Sequence, residues 1–228
     1  MSRKIILAGF LLSFLFASSA AAQTVTDERV WFTTMFSESG KPGSPWRWTM
    51  ELITRTREGV SDIDTFGLRP TIIYALNSHS SIGGGYAYVP SFPASGGTTV
   101  EQRVYGQYVW TGPVAGGTVT TRTRVESRFI EGNSGALGRF RQQVRFSRPF
   151  KKGGKLSWAA YEELFVHVND TTRSARGIDH NRLFGGLSLA ASKAVRVEGG
   201  YLNYFSPGHR GAPDRRYHVL SGALTISF

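Results

Sequence analysis

Arginine and glutamate recur at every second position along much of this chain. Arg122, Arg124, Glu126 and Arg128 form one row, and Arg139, Arg141, Gln143 and Arg145 form a second. A third holds Arg47, Glu51, Arg55 and Arg57, with Arg69, Glu101, Arg103, Glu163, Arg182, Arg196 and Glu198 in shorter ones. Guanidinium groups held in rows suit two chemistries: bidentate pairing with carboxylates that fills an interior, or a positive surface over which anions pass. Arg outnumbers Glu in the set, so water or anions must meet part of the charge. Other arrangements carry less. His79-Ser80-Ser81 has the i, i+2 spacing of a base and a nucleophile on one strand face, but no acid is placed to orient the histidine. Glu162 and Glu163 are adjacent, so in a strand one faces away from the other. Asp179-x-Asn181 and His180-x-Arg182, with His167 and Asn169 nearby, read as residues at the start of a strand. None of the five histidines has metal-ligand spacing with another, and the chain has no cysteine. No metal or cofactor is called for.

The rows identify the elements that carry them. Trp46, Trp48, Met50 and Leu52 alternate with the arginines of the third row, and Phe140, Val144 and Phe146 with those of the second. A helix would scatter these residues around its surface, whereas a strand collects each set on one face. The pattern predicts strands near 28–36, 46–58, 64–76, 80–89, 99–111, 117–130, 138–150, 155–168, 179–191, 194–205 and 215–228. Tight turns are expected at 77–79, 112–117, 151–154 and 191–193. Longer connections are expected at 90–98, 131–137, 169–178 and 206–214.

The whole is 228 residues with 27 Lys+Arg against 16 Asp+Glu, a formal charge of +11. Met1-Ser-Arg-Lys, the apolar run Ile5–Phe16 and the small residues Ser18–Ala22 form the three-part pattern of a secretory signal. We read residues 1–22 as this leader, 23–45 as an N-terminal segment forming an extra strand or a plug, and 46–228 as a barrel. Arg or Lys interrupts nearly every later apolar stretch. If the exported chain enters a membrane it must therefore do so as a closed barrel, the one strand architecture that satisfies its backbone in lipid.

Alternation alone leaves open whether the arginines face outward, as in a soluble barrel, or inward, as in a membrane barrel. Three features favour inward. Many predicted strands are long enough for a tilted span. Trp46, Trp48, Tyr86, Tyr88, Tyr108, Trp110, Tyr201 and Tyr204 gather near strand ends, like an interfacial girdle. The last stretch, His218 to Phe228, alternates Leu220, Leu224, Ile226 and the terminal Phe228. It resembles the closing strand of Gram-negative outer-membrane proteins, whose C-terminal aromatic is read by the barrel-insertion machinery. The expectation is an all-β, antiparallel up-and-down transmembrane barrel of ten to twelve strands, with short periplasmic turns and longer extracellular loops.

Several clusters, taken in order, resemble a family of bacterial outer-membrane proteins known as domain of unknown function 2490. They are Val30-Trp31, Arg122-x-Arg-x-Glu-x-Arg128, Arg139-x-Arg141, Tyr161-Glu-Glu-Leu-Phe165, Ile178-Asp-His-Asn-Arg182, Gly185-Gly-Leu187, Gly200-Tyr-Leu-Asn203 and His218-Val-Leu220. His180 stands where a Gln-like polar residue is expected. The resemblance implies an outer-membrane barrel and brings no catalytic residues with it.

The lumen is expected to be lined by Arg55, Arg57, Arg103, Arg122, Arg124, Glu126, Arg128, Arg139, Arg141, Arg145, Glu163, Arg182 and Glu198. These residues either fill the barrel as an ion-paired ladder or form a narrow positive path for small anionic solutes. The rival functional class is a lipid-modifying enzyme, of lipase or deacylase type, and the third is a structural or surface-interaction barrel. Expected partners are outer-membrane lipid and lipopolysaccharide, reached by Arg173, Arg176, Arg210, Arg215 and Arg216 in or beside the long loops, and the insertion machinery. Nucleic acid is not expected, despite the basic pI, and the chain is expected to be a monomer.

Overall fold

The computed structural model describes residues 24–38, 40, 43–209 and 211–228; the expected leader at 1–22 and Arg210 lie outside the described residues. Period-two alternation appears as eleven strands: β1 (Thr24–Ser37), β2 (Trp46–Arg57), β3 (Asp62–Ala75), β4 (Ser80–Ser91), β5 (Thr99–Val114), β6 (Gly117–Ile130), β7 (Leu137–Pro149), β8 (Leu156–His167), β9 (Gly177–Ala190), β10 (Val195–Ser206) and β11 (Asp214–Ser227). Each pairs with its neighbour in sequence, and β11 returns to β1 to close a barrel.

The closing pair is parallel, with Thr24 opposite Asp214 and Ser37 opposite Ser227. An odd number of alternating strands leaves the first and last running the same way, so parallel pairing is how this barrel closes. The segment 23–45 thus supplies a full strand of the wall, and the wall begins at Thr24 rather than at residue 46. Without β1, the edges of β2 and β11 would present unpaired backbone groups.

Connections alternate by rim. One rim carries those at 76–79, 115–116, 150–155 and 191–194; the other carries 92–98, 131–136, 168–176 and 207–213. The turn expected over 112–117 is narrower. Gly112–Val114 remain in β5, paired with Gly117–Val119, which leaves Ala115 and Gly116 at φ 50° and 73°. Both are left-handed, the conformation a two-residue hairpin turn needs to match strand twist. On the long-loop rim, the short connection 58–61 is held to β1 by Gly59 N–H donating to Glu28 O at 2.8 Å.

The two faces differ in chemistry. Val104, Val125, Phe129, Leu183, Leu187 and Leu220 are exposed on the outside, whereas Arg124, Glu126, Arg139, Arg141 and Glu163 are buried inside. At the short-turn rim, Trp46 packs edge-on against Tyr74 at 4.8 Å, and Trp48 against Phe228 at 5.5 Å across the closing seam. Tyr204, grouped by sequence with the girdle, instead faces the interior, where its ring lies 5.8 Å from Trp31.

Candidate functional site

Register brings the arginine rows together. β6 sets Glu126 opposite Arg139 and Arg124 opposite Arg141 on β7; β8 sets Glu163 opposite Gln143 on β7 and opposite Arg182 on β9. These residues share the inward face, so their side chains meet across the lumen. Glu126 accepts from Arg139 Nε and Nη2 at 2.8 and 2.6 Å, and from Arg141 Nη1 at 2.6 Å. Glu163 accepts from Arg141 Nη2 at 2.6 Å and Arg122 Nη2 at 2.8 Å. Arg141 thereby bridges two carboxylates from different strands. Arg124 donates to Gln107 Oε1 at 2.6 Å and lies 4.1 Å over the Tyr105 ring. Gly85 makes room for that ring, since a Cβ there would stand 2.4 Å from the Tyr105 hydroxyl.

Nearer the long-loop rim, Glu101 receives a bidentate pair from Arg103, both at 2.7 Å, and a second from Arg128. His167 Nε2 lies 3.0 Å from Arg128 Nη1 and 3.2 Å from Asp179 Oδ2, and its Nδ1 lies 3.2 Å from Ala175 O. Arg145 pairs with Glu198 away from the main cluster, and Arg57 lies 3.7 Å from Asp62 at the rim. Arg55 pairs with no carboxylate among the described residues; its Cζ lies 4.4 Å over the Trp31 ring.

The family described as protein of unknown function (DUF2490) matches residues 28–215. The chain belongs to this family. It is 34% identical over 188 residues to an uncharacterized protein of Methylorubrum extorquens, covering 81% of each chain. Its fold is similar to that of the NanC porin, with a TM-score of 0.52 over 83% of this chain and 93% of the other, at 12% identity. A porin-like barrel is consistent with an outer-membrane location.

Among the described residues, two of the cavities lie within the DUF2490 barrel. One, of about 240 Å³, has eight arginines and three carboxylates in its lining: Arg29, Arg55, Arg69, Arg103, Arg128, Arg139, Arg141 and Arg182 against Asp64, Glu101 and Asp179. The other, of about 220 Å³, is lined by Glu51, Arg122, Arg145 and Glu198 among others. The two share Trp31, Arg55, Arg69, Arg141 and Arg182, which form a septum between them.

Several interior residues escape sequence reasoning. Phe165, His180, Tyr204 and Tyr217 stack in a continuous column, with successive centroids 3.8, 4.6 and 4.9 Å apart. Arg29 caps one end, 3.8 Å over Tyr217, and Arg141 lies 4.4 Å over Phe165 at the other. His180, at the position where a Gln-like residue is expected, is a stacked ring within this column. Asp179 accepts from Arg139 Nη1 at 3.0 Å. It enters the site through a bulge, as pairing shifts between Phe165 and Val166 opposite it. The signal available in sequence was the pair Asp179-His180, two consecutive polar residues that break the alternation.

The remaining candidates lie elsewhere. His79 Nδ1 contacts Thr111 O at 2.8 Å and Ser80 Oγ contacts Tyr108 OH at 3.0 Å, so both tie down the β3–β4 turn. Glu162 faces outward and accepts from Asn181 Nδ2 at 2.9 Å, on the opposite side of the wall from Glu163. Among the described residues, no group of three or more His, Asp or Glu is placed to hold a metal ion.

Proposed function

We propose that the protein is an outer-membrane barrel, exported on a cleaved leader, whose lumen is a narrow path for small anionic solutes. The observation that carries this reading is the pair of cavities meeting at a septum with four arginines, Arg55, Arg69, Arg141 and Arg182. The carboxylates that reach the septum arginines are already committed: Glu51 to Arg69 at 3.5 Å, Glu163 to Arg141 and Arg122, and Glu126 to Arg139 and Arg141. Among the described residues this leaves Arg55 without a carboxylate and Arg182 4.0 Å from Glu163. The remaining positive charge, held in a low-dielectric enclosure, attracts anions and excludes cations of similar size. Likeness to a porin fold supports a channel, and the apolar exterior supports insertion in lipid.

In this reading the short-turn rim faces the periplasm and the long loops face outward. There Arg173, Arg176, Arg215 and Arg216 are available to lipopolysaccharide phosphates, and Phe228 carries the insertion signal. The barrel acts as a monomer.

Planar-bilayer recording under a potassium chloride gradient tests the path. The reading predicts small conductance steps with a reversal potential displaced toward that of chloride. Absence of steps, or a displacement toward potassium, contradicts it.

A further inference from the structure

In the septum Arg69 and Arg141 are paired with carboxylates, but Arg55, Arg182 and Trp31 present donors without close acceptors among the described residues. Arg182 lies 5.1 Å over the Trp31 ring; its nearest carboxylate oxygen, on Glu163, is 4.0 Å away, and its Nε has no hydrogen-bond partner. Arg55 covers the same indole at 4.4 Å and has no carboxylate of its own among the described residues. Trp31 is 8% exposed, and its Nε1 also lacks a partner. A buried indole N–H ordinarily finds one, because an unpaired buried donor loses its hydration for nothing in return. All three side chains line both cavities. A solute crossing from one compartment to the other therefore passes between them.

Donors of this kind suit a group that only accepts. A carboxylate or phosphate offers several lone pairs in a plane or tetrahedron that matches the guanidinium fork, whereas chloride offers a single centre. We infer that Arg55, Arg182 and Trp31 form a binding site for the oxyanion group of a small solute, a carboxylate or a phosphate, where the two cavities meet. The inference rests on the lumen being an anion path, and adds that passage saturates and discriminates oxyanions from halide.

The site is tested on the mature chain folded in detergent micelles, with folding of each variant verified by heat-modifiable migration. Sodium acetate and inorganic phosphate are titrated separately against sodium chloride at constant ionic strength. Binding is followed by calorimetry and by the Trp31 emission, taken as the difference between wild type and Trp31→Phe. The site predicts saturable binding of at least one of the two anions. It also predicts a loss of about tenfold or more in affinity in Arg55→Gln and in Arg182→Gln, since each removes a charged hydrogen-bond donor. Arg55→Lys, which keeps charge but not the fork, falls between. Binding of acetate alone assigns the carboxylate source, and of phosphate alone the phosphate. No binding of either anion, or equal affinity in wild type and both Gln variants, overturns the site. Bilayer recording of the same samples separates the two claims. Anion-selective conductance without saturable binding leaves the path and removes the site. Binding that is lost in the variants, in a barrel that never conducts, leaves the site and removes the path.

Discussion

Arg124 and Val125 are consecutive residues of β6, yet Arg124 retains 2% of its accessible surface and Val125 58%. One peptide unit separates the interior of the barrel from its exterior. The strand's two-residue period makes that contrast the rule for the whole wall, and it is reversed relative to a water-soluble barrel. If the barrel spans a membrane as proposed, a charge placed on the outer face meets lipid. Val125→Arg is expected to lower unfolding stability in vesicles by about 2–4 kcal/mol if it sits at the bilayer midplane. Val60→Arg, in the rim connection 58–61, is expected to change it little. Denaturant titration of the two variants in lipid compares them directly, and equal losses would place lipid elsewhere.

Glu126 holds the middle of the interior network, accepting from Arg139 and Arg141. Removing it leaves guanidinium groups buried with less compensation, and loss of one partner from a buried pair costs about 3–5 kcal/mol. Glu126→Ala should approach that figure. The double variant Glu126→Ala with Arg139→Ala should lose less than the sum of its singles, because each change removes the other's unmet charge. Additive losses would mean the network is wet and its members independent.

The outward Glu162 is bonded to Asn181 at 2.9 Å. Against acyl chains both groups carry a desolvation cost that their mutual bond offsets only in part. Replacing both by Leu is therefore expected to raise the unfolding midpoint, and Asn181→Leu alone to lower it. A double variant less stable than wild type would show that this face is covered by something other than lipid.

Much of the wall was legible in the residues themselves. Alternation located all eleven strands, and the split of Arg from apolar side chains fixed their common face, because a period of two leaves each residue only one side to occupy. The N-terminal segment was harder. Glu28 to Phe36 alternates less plainly and could be read as a strand or as a plug, whereas its membership of the wall follows from pairing with β11 and β2. In the site, Arg141 and Glu163 were readable as inward residues, but not as partners, because register between strands is a tertiary fact. Asp179 was hidden by its bulge. Tyr204 was hidden by the expectation that aromatics of such a barrel belong at the lipid boundary, and Trp31 and Tyr217 were given no place in the lumen, because their stacking partners come from other strands.

The parallel closure is open to cross-linking, as the chain contains no cysteine. Thr34 on β1 stands opposite Leu224 on β11, both on the outer face. Neighbouring strands lie within the Cα separation a disulfide accepts. Thr34→Cys with Leu224→Cys should oxidise readily to a species of altered gel mobility. Thr34→Cys with Ile226→Cys, two residues out of register, should do so poorly. The opposite order would mean that β1 closes the barrel in another register or not at all.

The inward orientation of the arginines can be read residue by residue along one strand. Nitroxide labels placed singly at positions 119 to 129 of β6 in reconstituted vesicles report collision with oxygen, which concentrates in lipid, and with a water-soluble nickel complex. The account predicts oxygen maxima at the odd positions, including Thr123, Val125 and Ser127, and minima at Arg122, Arg124 and Glu126. Maxima at the even positions, or no two-residue period, would contradict it.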